Sequence, residues 1–247
     1  MKIIQDYIPA GRRNRPMTNP ASSLYKKTMQ AKYITIHEAW STANAKALHS
    51  YVKSQRAADR PASWHFSIDE KDCYQALPLT ESGWHAGDNL GPGNTTTIGI
   101  EICDYGMRRD NNWNLFWQAV DHAARLCVHL IKEIPSLHPY PQCLKQHNDW
   151  SGKNCPALIR NGGHWQKFVD LVGAYLREPE SPPAIPITDL PKIQREIGIE
   201  VDGNFVNETG YLIGNKTYVR ASWLLGLAGN LRVTGHGDHI KITRRGM

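Results

Sequence analysis

Short apolar runs alternate along the first two thirds of the chain with longer stretches in which apolar residues recur every three or four positions. Residues 33–36, Tyr-Ile-Thr-Ile, are apolar and β-branched, which predicts a buried strand. Residues 63–68 alternate and predict a second strand, and Ile-Gly-Ile-Glu-Ile-Cys at 98–103 a third. Helical spacing runs from about 44 to 56. It is strongest over 112–134, where Phe116, Ala119, Val120, Ala123, Cys127, Leu130 and Ile131 form one stripe. A last helix over 163–176 turns Trp165, Phe168, Val169 and Val172 inward. Strands separated by helices predict an α/β domain, a central mixed β-sheet flanked by helices.

After residue 177 the pattern changes. Four prolines fall within residues 178–186, a density that stops helices and favours an extended spacer. The expected organisation is a domain over 1–177, a Pro-rich linker over 178–187 and a small module over 188–247. In that module Gly-Asn pairs at 203–204 and 214–215 are turn signals. The second pair lies between Tyr-Leu-Ile at 211–213 and Thr-Tyr-Val at 217–219, which predicts a hairpin. A short helix over 221–228 and a closing strand over 238–243 complete a small α+β unit.

Composition narrows the class. The 247 residues are 40% hydrophobic and 21% charged, ordinary values for a globular chain. No apolar run approaches the roughly 18 residues of a membrane span, so no membrane association is expected. The first sixteen residues carry charge without an apolar stretch, so no secretory leader is expected either. The net charge of +6 suits nucleic acid or any polyanionic surface. No basic patch interleaved with aromatics supports nucleic acid. Five cysteines at irregular spacings argue against a disulfide framework and for free thiols in a reducing compartment, Cys127 being a small core residue.

Three segments carry chemistry. His37 directly follows the first strand, His147 and Cys155 stand eight residues apart in a glycine-containing loop, and Glu101 interrupts an apolar strand. Two imidazoles and a thiolate match a catalytic zinc site, which uses three protein ligands and leaves the fourth position to water. A carboxylate among Ile and Gly residues is costly unless it faces a polar cavity, although strand alternation also permits it to point outward. With eleven histidines in the chain, composition and spacing alone favour a packed His37 and an inert Cys155.

The ordered set of segments resembles the zinc-dependent N-acetylmuramoyl-L-alanine amidases of the type 2 family, relatives of peptidoglycan recognition proteins and of many phage endolysins. The resemblance is carried by the strand ending at His37, Ser-Trp-His-Phe at 63–66, Gly-Trp-His-Ala-Gly at 83–87, Thr-Ile-Gly-Ile-Glu-Ile at 97–102, and the loop from His147 through Lys153 to Cys155 and Pro156. It implies Zn2+ on His37, His147 and Cys155, an acid–base role for Glu101, and an oxyanion-stabilising role for Lys153. It places His85 and Trp64 on the substrate groove. Trp64 stands where some members carry Tyr, which shifts weight onto Glu101. His65 is expected to be structural, and the remaining histidines to be packing or surface residues.

The tail resembles the small domain known as copper amine oxidase N-terminal-like, carried by residues 210–219, 224–227 and 240–242. No copper is implied. The resemblances together imply a peptidoglycan hydrolase acting on a Gram-positive wall, with the tail binding wall polymer or forming a homodimer. Synthesis in a host cytoplasm and release as a phage or prophage endolysin fit the absence of a leader. The rival expectation is a non-catalytic peptidoglycan recognition protein, a class that typically lacks a ligand, usually the cysteine.

Overall fold

The computed structural model describes residues 2–54, 62–105 and 113–178, and beyond them the backbone of five strands between 195 and 244. The chain divides into two compact units, Met1–Pro179 and Glu180–Met247.

The first unit is built on six strands: β1 (Ile3–Gln5), β2 (Tyr33–Glu38), β3 (Phe66–Ile68), β4 (Cys73–Gln75), β5 (Thr97–Ile102) and β6 (Leu144–Gln146). Their order is β1-β4-β3-β5-β2-β6. Only β3 and β4 pair antiparallel, so β3, β5, β2 and β6 run the same way and end at one edge. The sheet is mixed and flanked by helices, as the alternation predicts.

Strand alternation divides the side chains between two faces. Ile34, Ile36, Phe66, Ile68, Ile98, Ile100 and Ile102 enter the larger core. There they meet Phe116, Ala119, Ala123 and Cys127 of one long helix and Phe168 and Val172 of another. The 3.6-residue period of α3 (Trp113–Glu133) and α6 (Trp165–Arg177) puts their apolar residues on one buried stripe each. Each large apolar side chain so buried contributes about 1.5–3 kcal/mol. The opposite face carries Thr35, His37, Thr97, Gly99 and Glu101, and a smaller core lies on α1 (Ala45–Lys53), where Ala45, Leu48 and Val52 pack with Ile8, Trp64 and Leu77. Asn44 caps α1 by accepting from the Ala47 amide at 2.9 Å. Short helices α2 (Pro92–Thr95), α4 (Asn148–Ser151) and α5 (Ala157–Asn161) lie in the connecting segments.

Two expectations need correction. The strand predicted over 63–68 is confined to Phe66–Ile68. Ser63 is tied instead to the loop at residue 84: its amide donates to the Trp84 carbonyl at 2.9 Å, and its hydroxyl accepts from the Trp84 amide at 3.0 Å. Trp64 therefore leaves the ladder and is buried in the α1 core at 7% exposure, with its indole donating to Ser67. It packs in that core and is not among the residues that line the groove described below.

All five cysteines are free and buried, Cys127 inside the larger core. Among the described residues no helix is long and apolar enough to cross a membrane. The second unit shows a five-stranded sheet, β7 (Arg195–Val201), β8 (Asn204–Ile213), β9 (Lys216–Tyr218), β10 (Leu231–His236) and β11 (His239–Arg244), ordered β10-β11-β7-β8-β9. The expected hairpin is β8–β9, with Tyr211 opposite Tyr218. The expected helix over 221–228 and nearly all of the Pro-rich segment lie outside the described residues.

Candidate metal centre

Parallel pairing brings the polar positions together at one level. His37 on β2 is in register with Glu101 on β5, which is in register with Ser67 on β3. His147 follows β6 immediately, beside the end of β2, and its amide donates to the Ile36 carbonyl at 3.3 Å. The loop after it reverses at Gly152, whose φ of 73° is readily adopted without a side chain. It closes where the Asn148 amide donates to the Cys155 carbonyl at 3.0 Å. Glu38 anchors the far side: its carboxylate accepts from the Leu158 amide at 2.8 Å and the Ile159 amide at 2.9 Å. Through α5 it fixes the segment that carries Cys155.

His37 Nδ1 lies 3.0 Å from His147 Nδ1 and 3.9 Å from Cys155 Sγ. The three candidate ligand atoms all fall within 4.8 Å of one another, and all three residues are buried. Burial holds the His37 imidazole well below its usual pKa, assisted by the neighbouring His85 and His147, and lowers His147 to about 4. Burial pushes the Cys155 thiol up to about 12. Two neutral imidazoles and a thiol held protonated by burial are a donor set that a cation satisfies, since thiolate forms when a metal supplies the compensating charge.

Glu101 stands beside this cluster, its Oε1 3.9 Å from His37 Nδ1. Burial raises its pKa to about 8, against the lowering effect of Lys153. Its Oε2 is buried without a hydrogen-bond partner among the described residues. This unpaired carboxylate oxygen stands next to the two-histidine, one-cysteine cluster, where a buried acceptor is costly unless another group meets it.

A family model described as N-acetylmuramoyl-L-alanine amidase matches residues 27–158, a span that contains the whole cluster. The chain belongs to this amidase family. It is 36% identical over 175 residues to N-acetylmuramoyl-L-alanine amidase XlyA of Bacillus subtilis, covering 70% of this chain and 52% of that one. The catalytic domain of XlyA superposes with a TM-score of 0.58 at 37% identity, covering 70% of this chain and 100% of that domain. A mutant endolysin from Bacillus subtilis gives 0.57 at 38% identity, covering 70% and 99%. The chain thus spans about half the length of XlyA.

In this chain a groove of about 910 Å³ opens beside the cluster, lined by Arg13, Trp84, His85, Leu90, His147 and Lys153 among others. His85 and Lys153 line this groove, and Trp64 is not among its lining residues. His65 is fully buried and structural: its Nδ1 accepts from the Gly99 amide at 3.0 Å and its Nε2 donates to the Glu81 carbonyl at 2.8 Å. The groove wall formed by residues 11–23 escaped sequence reasoning because that segment has no periodicity and no regular element beyond a single 3-10 turn at Pro16–Thr18. Asn94 was missed as well. Its Oδ1 accepts from the His85 and Ala86 amides, both at 2.8 Å, and only the Asp-to-Asn spacing of the 88–94 turn hints at it.

Proposed function

We propose that the protein is a zinc-dependent peptidoglycan hydrolase that cleaves the amide between the lactyl group of N-acetylmuramic acid and L-alanine. The observation that carries this reading is the buried cluster of His37, His147 and Cys155 beside the unpartnered Glu101 oxygen, with His147 also lining the groove. Membership of the amidase family supports the reaction class. His37, His147 and Cys155 would hold the zinc. When bound there, it supplies Lewis-acid polarisation and a lowered water pKa.

The chain's own residues complete the chemistry. Glu101, whose pKa burial raises, takes a proton from the attacking water and returns it to the departing alanine nitrogen. Its orphaned Oε2 is the atom free to do so. Lys153 lines the groove and places a positive charge for the oxyanion that develops on the scissile carbonyl. The groove binds the peptide stem along its length. In the same reading the protein is of the endolysin type, made in a host cytoplasm and reaching the wall on release. The second unit would attach the enzyme to wall polymer.

Digestion of purified peptidoglycan followed by mass spectrometry tests the reaction. The expected products carry a free lactyl carboxyl group and a new α-amino group on L-alanine. Cleavage confined to glycan bonds or to later stem positions would overturn the assignment.

A further inference from the structure

Behind His37, away from Cys155, runs a line of buried polar groups that the reaction does not use. His37 Nε2 lies 3.0 Å from His85 Nδ1. His85 Nε2 lies 3.4 Å from Thr97 Oγ1, and the Thr97 hydroxyl donates to the Gly93 carbonyl at 2.6 Å. Thr35 donates to Thr97 Oγ1 at 3.0 Å and accepts from the Trp150 indole at 2.9 Å. Thr35, His37, His85 and Thr97 are all buried.

The polarity of each link follows from the next. The Gly93 carbonyl can only accept, so the single proton of the Thr97 hydroxyl is committed to it. The indole N–H of Trp150 can only donate, so Thr35 accepts there and directs its own proton at Thr97. Thr97 Oγ1 is therefore purely an acceptor toward His85, and His85 Nε2 must carry the proton of a neutral ring. His85 Nδ1 is then an acceptor, which makes His37 Nε2 the N–H donor between them. The remaining nitrogen of His37, Nδ1, keeps its lone pair and is the atom that faces His147 and Cys155.

The same loop acts on the second imidazole. The Ala86–Gly87 backbone lies against the ring of His147, where a Cβ at Gly87 would stand 3.6 Å from Nε2, and the Nδ1 of that ring faces His37. Asn94 holds this loop by accepting from both the His85 and Ala86 amides. The Asp88 carboxylate in turn accepts from the Gly93 and Asn94 amides at 2.6 and 3.1 Å. Room for the His85 ring depends on Gly99, where a Cβ would stand 2.9 Å from the ring.

We propose that His85, polarised by Thr97 and clamped by Asn94, is a positioning residue that locks His37 in the tautomer with Nδ1 free for metal. The inference rests on the zinc reading for the identity of the ion. A neutral imidazole otherwise places its proton on either nitrogen, and Nδ1–H would remove one of three ligands. Outer partners of this kind typically contribute about 10–100-fold to metal affinity.

The test uses the full chain and Zn2+ alone, with affinity read by competition against a chromophoric chelator. His85→Leu keeps the bulk and removes the acceptor, and is expected to weaken zinc binding by about 10–100-fold. His85→Gln offers an amide oxygen to His37 and an amide N–H to Thr97, and is expected to restore most of that loss. Unchanged zinc affinity in His85→Leu would overturn the proposal. Imidazole 15N spectra of the metal-free wild type give a second measurement that needs no variant to fold. An Nε2–H tautomer at His37 supports the lock, and an Nδ1–H tautomer refutes it. Neither readout involves peptidoglycan, so a protein that shows this tautomer and affinity but leaves the wall polymer intact would count against the amidase reaction alone.

Discussion

Glu101 and His65 show how one sheet face sets two opposite fates for buried ionisable groups. Glu101 has an oxygen with no partner and a pKa raised to about 8 by burial. It is poised to exchange a proton. Glu101→Gln should keep the zinc stoichiometry and lower turnover by about 10²–10⁴, the usual contribution of a positioned acid–base group. Near-normal turnover in that variant would move the proton-transfer role elsewhere. His65 has both nitrogens bonded to backbone and is lowered to about 4 by burial. In the unfolded chain it takes up its proton near pH 6.5, while in the folded chain it does so only near pH 4. The unfolded state therefore binds more protons between those values, and stability falls as the pH drops from about 6.5 toward 4. The loss from this group amounts to about 3 kcal/mol. Urea midpoints at pH 7 and 4.5 check this in metal-free protein. His65→Gln, which retains a donor and an acceptor without titrating, should show a smaller drop than wild type, and an equal drop would assign the effect to other groups.

At the scale of elements, the amphipathic helices were legible because a 3.6-residue period is a local property. The stripe read over 112–134 is the buried face of α3, and the helix read over 163–176 is α6 within two residues. β1, β4 and β6 were not legible, since each is only three residues long and shows no period of its own. They exist because neighbouring strands supply hydrogen-bond partners. The short helix α5 belongs to the same class. Its first amides have their acceptor in Glu38, the residue next to His37, and no local pattern announces that pairing. Glu38→Ala should leave two buried or half-buried amides without that acceptor and cost about 1.5–3 kcal/mol of stability. It should also weaken zinc binding by releasing the segment behind Cys155. Thermal unfolding together with chelator competition tests both. A stability loss with unchanged zinc affinity would confine Glu38 to a capping role.

The molecule as a whole consists of two compact units, of which the first contains the entire metal cluster and the span that matches the amidase family. A fragment comprising residues 1–177 should fold, bind zinc and cleave soluble muropeptides at close to the full-length rate. If the second unit attaches to wall polymer, the fragment should lose activity on intact cells, because attachment raises the local concentration of enzyme at an insoluble substrate. The isolated second unit fused to a fluorescent reporter should label the wall. If it labels nothing while the full chain sediments as a dimer and the fragment as a monomer, the second unit is an assembly element.

Sequence by itself determined whatever depends on near neighbours: the helical stripes, the alternation that sets Glu101 apart from Ile100 and Ile102, and the return of Cys155 toward His147 across one short loop. It also carried the ordered segments by which the family is recognised. Tertiary structure decided which distant residues share a level and a face. The register that sets His37 beside Glu101, and Glu101 beside Ser67, comes from parallel pairing between strands far apart in the chain. Trp64 and His85 looked equivalent as aromatic residues in neighbouring motifs. One entered the α1 core and the other reached His37, because Ser63 is pinned to the Trp84 backbone while Asn94 holds the amides of His85 and Ala86. Hydrogen-bond polarity is a property of the assembled line from Trp150 to His37. No single residue in it specifies its own direction, so the proton on His37 is set only when all of them are in place.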